Sequence, residues 1–332
     1  MKSWLNLSLN VVKTLPAVRC PPPEKDKKNA FTGSGQREAE GLKNHSGKEL
    51  NMGKHIEPFD NRNEAIIAEN DDTTPLCYFN SVKLVKGGTH TYRLGNYETA
   101  AVLASGTCRI TVDGEVFENI GGRERIWDGH PSAVYAPIDS EVLIECISDH
   151  AEVMIAGGRY EEKLTPFAVR PDDVQVVQYG SDDTKTHRKI KHVLGQANAD
   201  KRGRLLVSEL FTVGKGGWSG FPTHKHDEDR EGIETRYEEV YQFRFDPPQG
   251  FGAQFLYTEE ETCGPCYMVK DGSVIAIDKG YHTSVVAPGY QMYYFTIIVG
   301  ETSKSLIQYF EPAHADQVNT IPGIKDMIAK FK

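Results

Sequence analysis

The sequence predicts an all-β protein: two β-barrels in tandem, preceded by an unstructured N-terminal extension. Three observations carry this. Short runs rich in Val, Ile and Tyr alternate with turn signals at spacings of about 8–12 residues, the pattern of a sandwich or barrel. The 31 glycines favour turns over long helices. The turn Val112-Asp113-Gly114 recurs as Lys270-Asp271-Gly272, which points to an internal duplication.

Residues 1–56 carry ten Lys/Arg against five acids, with only Trp4 and Phe31 as aromatics. Pro21-Pro22-Pro23 and Gly33-Ser34-Gly35 add to the bias. Such a stretch buries too little apolar surface to offset the entropy of ordering, so a disordered extension is expected. Lys2, Lys13 and Arg19 without an acid also allow a weak transit peptide, and Met52 is an alternative start. Residues 57–165 form the first barrel. Thr99–Leu103, Cys108–Val112, Glu115–Phe117, Ala133–Pro137, Val142–Cys146 and Val153–Ala156 are its strands, with a hairpin at Asp113-Gly114. His90, His130 and His150 are scattered, so this half carries no metal. Residues 166–204 connect the halves: a turn at Arg170–Asp173, a strand at 174–177, then a polar, basic stretch. His187 and His192 stand five residues apart, which suits neither face of a strand nor one face of a helix. The second barrel spans 205–311 and is expected to hold the metal. The tail, 312–332, ends in a short amphipathic helix packing on a barrel or on a neighbouring copy, which allows a homo-oligomer.

Net charge is -9 and the sequence pI is about 5.7. Nucleic acids and anionic membranes both select clustered Lys and Arg, so neither is an expected partner. No apolar run reaches the roughly 18 residues of a membrane span. Six cysteines in 332 residues do not make a disulfide scaffold, so a reducing, cytoplasmic setting is expected. Cys263-Gly264-Pro265-Cys266 has the Cys-x-x-Cys form, but acids precede it and a strand and turn follow. Without a helix start to lower a thiol pKa, it reads as a loop.

The chemistry concentrates in His224-Lys225-His226, Glu239-Val240-Tyr241 and Gly280-Tyr281-His282. On a strand, His224 and His226 point to one side. Glu239, Tyr241, Phe243 and Phe245 likewise share a face. If the strand of Glu239 lies beside that of the histidines, His224, His226, Glu239 and His282 form a three-nitrogen, one-oxygen set. Such a set suits a divalent transition metal: zinc, manganese, iron or nickel. Glu228, Glu231, Glu234 and Glu238 compete for the carboxylate role, but Glu231 reads as loop and Glu238 faces away from Glu239.

These motifs resemble the metal motifs of the cupins, double-stranded β-helix barrels, with departures. Twelve residues separate His226 from Glu239, and Asp246–Gly250 replaces the later glycine. Together with Arg244–Gly252, Asp271-Gly272, Ala287–Tyr290 and Tyr293-Tyr294, the departures resemble the 5-deoxy-glucuronate isomerases of myo-inositol breakdown over roughly residues 60–311. The Glu-Val-Tyr context is shared with the uronate ketol-isomerases of pectin breakdown, which favours Glu239. The resemblance implies two cupin barrels and an aldose–ketose isomerase taking 5-deoxy-D-glucuronate to 2-deoxy-5-keto-D-gluconate. The substrate is then a small deoxy-uronic acid, isomerised through an enediolate. Tyr241 and Gln254 are candidate catalytic residues; Arg244 is a weaker candidate for the sugar carboxylate, because its parity turns it away. A cupin dioxygenase and a non-catalytic uronate-binding cupin are the alternatives.

Overall fold

The computed structural model describes residues 52–331 except 261–262. Of the expected extension, 1–51 lies outside the described residues. Residues 52–56, expected within it, are ordered instead. Strand Lys54–Ile56 pairs antiparallel with Val274–Ile277, and Met52 is buried. The polar composition of the preceding residues hid this short edge strand.

The fold is all-β; Ile324–Phe331 is the only α-helix among the described residues. The second half consists of two facing sheets. A seven-stranded sheet runs in the order 54–56, 274–277, 237–246, 291–300, 205–212, 188–194, 175–179. A five-stranded sheet runs 266–270, 251–257, 281–286, 217–225, 309–310. Tyr241, Phe243, Phe245, Ile275 and Met292 of the first meet Leu256, Val269 and Val286 of the second in one apolar core. Ile324 and Met327 of the C-terminal helix join that core, so the expected tail helix lies against this half.

Residues 166–204, expected as a connector, are mostly built into the sheets. Phe167–Val169 pairs with Ala133–Ala136 of the first half. Gln175–Tyr179 and Arg188–Leu194 extend the seven-stranded sheet beyond Leu205–Thr212.

The first half is a nine-stranded network around Tyr97–Val112, which pairs with four other strands. Its hairpin turns at Asp113 (φ 48°) and Gly114 (φ 88°), the left-handed pair a two-residue turn needs. Its strands enclose a core of Val82, Leu103, Ile110, Ile144 and Val153. A further core joins the halves: Phe79, Tyr135, Met154 and Ala156 from the first, Val207, Val240, Phe295 and Ile297 from the second. Strand Tyr237–Asp246 therefore has two buried faces. Val240 looks toward the first half, while Glu239, Tyr241 and Phe243 look between the sheets of the second. That alternation aims Glu239 and Tyr241 at the site.

Candidate metal centre

His224 and His282 are direct cross-strand partners in the five-stranded sheet. Their ring centroids are 4.7 Å apart, and those of His226 and His282 are 4.9 Å apart. One ring nitrogen from each of the three falls within 4.8 Å of the others. Glu239 reaches them from the facing sheet, not from a neighbouring strand as the sequence pattern suggested. Its Oε2 is 3.2 Å from His226 Nε2 and 3.3 Å from His282 Nε2. All four residues are buried.

The ring orientations are set from behind. His226 Nδ1 donates to the Tyr237 carbonyl at 3.1 Å, and His282 Nδ1 to the Gly280 carbonyl at 3.0 Å. Each bond turns a bare Nε2 into the cluster, the outer-shell arrangement that fixes a ligand histidine. His282 Nε2 is buried and makes no hydrogen bond, a costly state unless a cation takes its lone pair. Donors about 2.1 Å from a common ion stand about 3.0–3.4 Å apart, which matches the two carboxylate–imidazole distances. The residues fit a divalent transition metal.

The electrostatics agree. Burial, reinforced by the other two imidazoles, holds His224 well below the usual histidine pKa, so its ring is neutral. Burial alone would raise the Glu239 carboxyl, but the adjacent His226 and His282 imidazoles carry it well below the carboxylate range. Metal ligands must be deprotonated, and both groups already are. Burial opposes a charge on His226 too, yet Glu239 outweighs it and raises that pKa; a bound cation would take the place of this proton.

The competing carboxylates have other partners. Glu234 accepts hydrogen bonds from Lys225 Nζ and the Asp227 and Glu228 amides, and pairs with Arg230, pinning the loop after His226. Glu238 accepts from the Leu76 amide in the first half, at 2.7 Å. Glu228 and Glu231 are exposed.

A small cavity of about 50 Å³ opens beside the cluster, lined by His224, Glu239 and Tyr241 among others. The buried Tyr241 phenol hydrogen-bonds Glu239; burial and that carboxylate push its pKa well up, so it stays protonated. Gln254 is fully buried with its Oε1 accepting from Ser284 Oγ at 2.5 Å; it is not among the residues lining the cavity. Arg244 is paired with Glu152 of the first half at 2.6 Å, so it is not free for a substrate.

The sequence reading missed Gln308, whose Nε2 lies 2.9 Å from His224 Nε2, and Arg188, Tyr179 and Tyr294, which line the cavity. Gln308 has no motif around it; only the pairing of Tyr309–Phe310 with Lys225 and His224 brings it in. The first-half histidines join no such cluster among the described residues. His187 bonds Gln178 and Asp182, and His192 bonds Ser208. Cys263 and Cys266 are free and exposed, with burial raising rather than lowering the Cys266 thiol.

The model of the KduI/IolB family matches residues 54–317. The 5-deoxy-glucuronate isomerase of Bacillus subtilis (strain 168) is 31% identical over 250 residues, 75% of this chain and 90% of that protein. That of Shouchella clausii (strain KSM-K16) is 32% identical over 233 residues, 69% and 84% of the two chains. The crystal structure of an IolB-like protein from Salmonella typhimurium LT2 aligns with a TM-score of 0.69 at 28% identity, covering 76% of this chain and 93% of that one. A mutant of Bacillus subtilis oxalate decarboxylase aligns at TM-score 0.54 with 11% identity, over 85% and 82% of the chains, a likeness of fold alone.

Proposed function

This chain belongs to the KduI/IolB family, and from that premise we propose that it is an aldose–ketose isomerase. It converts 5-deoxy-D-glucuronate to 2-deoxy-5-keto-D-gluconate in inositol catabolism, in line with relatives named 5-deoxy-glucuronate isomerase. The observation that carries the reading is the convergence of three imidazoles and one carboxylate beside a cavity that His224, Glu239 and Tyr241 line.

His224, His226, His282 and Glu239 are the residues that would hold the metal, and their N/O set admits zinc, manganese, iron or nickel. Such an ion supplies Lewis acidity toward the neighbouring oxygens of an α-hydroxy aldehyde. The reaction removes a proton from the carbon beside the aldehyde and returns one to the aldehyde carbon. A second proton moves between the two oxygens. We assign that oxygen-side transfer to Tyr241, whose phenol is protonated and points its hydroxyl toward Glu239. Gln254 has a supporting role: through Ser284 it steadies the strand that carries His282. Ile190, Leu210, Leu306 and Met327 keep the cavity apolar, which limits water beside the reacting carbons. No helix among the described residues is long and apolar enough to cross a membrane. Five unbridged cysteines among those residues fit a reducing compartment, and we place the reaction in the cytoplasm.

The test combines metal analysis of the purified protein with ¹H NMR of 5-deoxy-D-glucuronate over time. The aldehyde signal should give way to the keto acid. His226→Ala should lose the bound metal and the turnover while keeping its circular dichroism spectrum. A wild-type protein that leaves the aldehyde unchanged overturns the isomerase reading; a fully active His226→Ala overturns the metal role.

A further inference from the structure

Arg188 is a buried cation without an anion. It opens strand Arg188–Leu194 and is 3% exposed. Nη1 donates to the Tyr179 hydroxyl at 2.9 Å and Nη2 to the Tyr294 hydroxyl at 2.5 Å. Nε makes no hydrogen bond. A guanidinium has five N–H donors, so two engaged hydroxyls leave donors on all three nitrogens.

Among the described residues the other buried cations are differently placed. Arg123 and Lys191 meet Glu209, Lys225 meets Asp227 and Glu234, and the half-buried Arg244 also has an acid, Glu152. Arg202 pairs with no acid but gives its donors to the Gly195, Gly203 and Lys304 carbonyls. Arg188 has neither a carboxylate nor a carbonyl, only phenols. Burial pushes the Tyr294 phenol up to about 12, so it is neutral and offers no countercharge. A buried charge left in this state costs several kcal/mol. It persists where an anion arrives from outside, because planar N–H pairs match a carboxylate's two oxygens.

Arg188, Tyr179 and Tyr294 line the same cavity as His224, Glu239 and Tyr241. Tyr294 links the two groups: its ring packs 4.8 Å from Tyr241, and its hydroxyl is 2.5 Å from Ser219 Oγ. We propose that Arg188, held by Tyr179 and Tyr294, binds the carboxylate of the substrate and so selects sugar acids over neutral aldoses. This rests on the isomerase reading above, in which the carboxylate is at the opposite end of the sugar from the aldehyde. The aldehyde end then meets the metal ligands while Arg188 holds the acid end.

The test compares wild type with Arg188→Met on 5-deoxy-D-glucuronate and on the matching 5-deoxyhexose, which has an alcohol in place of the acid. The ratio of kcat/KM for acid over neutral sugar should fall about 100-fold, the scale of a charge-assisted hydrogen-bonded pair, with metal content unchanged. Because methionine removes an unpaired buried charge, the variant should melt no lower than wild type. Binding is read independently of turnover by melting both metal-loaded proteins with D-glucuronate or D-glucose. Glucuronate should raise the wild-type midpoint and not the variant's; glucose should raise neither. An unchanged kcat/KM ratio, or the same glucuronate response in both proteins, overturns the assignment. A selective glucuronate response in a wild type that turns nothing over would sustain the carboxylate site and sink the isomerase reading alone.

Discussion

At the scale of single residues, the candidate site divides into what a strand pattern can announce and what only tertiary structure brings in. His224, His226, Glu239 and His282 were legible because period-two alternation and ligand-type chemistry coincide in each short motif. Tyr241 was legible by the same parity from Glu239. Arg188 and Gln308 were not. Arg188 lies in a basic stretch that reads as solvated, yet strand Arg188–Leu194 is buried on both faces, with Arg188 and Ile190 toward the cavity and Lys191 toward the first half. Lys191 is tolerated there because the Gly129 carbonyl and Glu209 meet it, while Arg188 rests on phenols alone, and no local pattern shows either arrangement. Tyr241 supplies the sharpest test at this scale. Tyr241→Phe keeps the ring against Tyr294 and removes only the hydroxyl beside Glu239. As the oxygen-side acid it should cost about 10²- to 10⁴-fold in kcat, with metal content unchanged. A variant within twofold of wild type in steady-state kinetics would remove Tyr241 from the chemistry.

At the scale of elements, the strands themselves were mostly visible, whereas their partners were not. The sequence suggested that Glu239 stands beside the histidine strand; in the fold it crosses the gap between two sheets. Alternation states which side a residue faces but not which sheet faces it. Strand Lys54–Ile56 shows the same limit. It is 218 residues from its partner Val274, beyond the reach of any local pattern. It covers the edge of strand Val274–Ile277, which itself pairs with the strand of Glu239 and Tyr241. Met52 is 2% exposed, its carbonyl accepts from Tyr267, and Lys54 pairs with Asp71 at 2.6 Å. Met52 also reaches Gly280, whose carbonyl orients His282. A chain begun at Glu57 should therefore be less stable than one begun at Met52. Burial of the methionine alone accounts for about 2–3 kcal/mol, or roughly 4 °C or more in Tm for a domain of this size. Scanning calorimetry on the two truncations checks it; equal midpoints would make the strand dispensable.

At the scale of the whole molecule, the two halves are joined by a shared core that contains a buried polar network, so a duplication visible in the turns does not yield two independent units. Arg123 of the first half forms a double hydrogen bond with Glu209 of the second, and Tyr293 donates to the same carboxylate at 3.2 Å. Lys191 Nζ lies 3.9 Å from Glu209 and donates to the Gly129 carbonyl. Burial pulls the Lys191 ammonium down to about 8; Glu209 and Asp128 act against that, Arg123 and Lys189 with it. The sign follows from linkage. A lysine whose folded pKa lies below its unfolded value, about 10.4, binds fewer protons folded than unfolded between those two pH values. Its burial penalty is fully present below pH about 8 and is relieved as pH rises toward 10. Lys191→Met carries no proton at this position. The stability of wild type minus that of the variant, measured by urea unfolding, should therefore increase from pH 7 to pH 9.5. A difference that stays flat, or that falls over this window, would mean that the ammonium is not held in the interface between the halves as the fold places it.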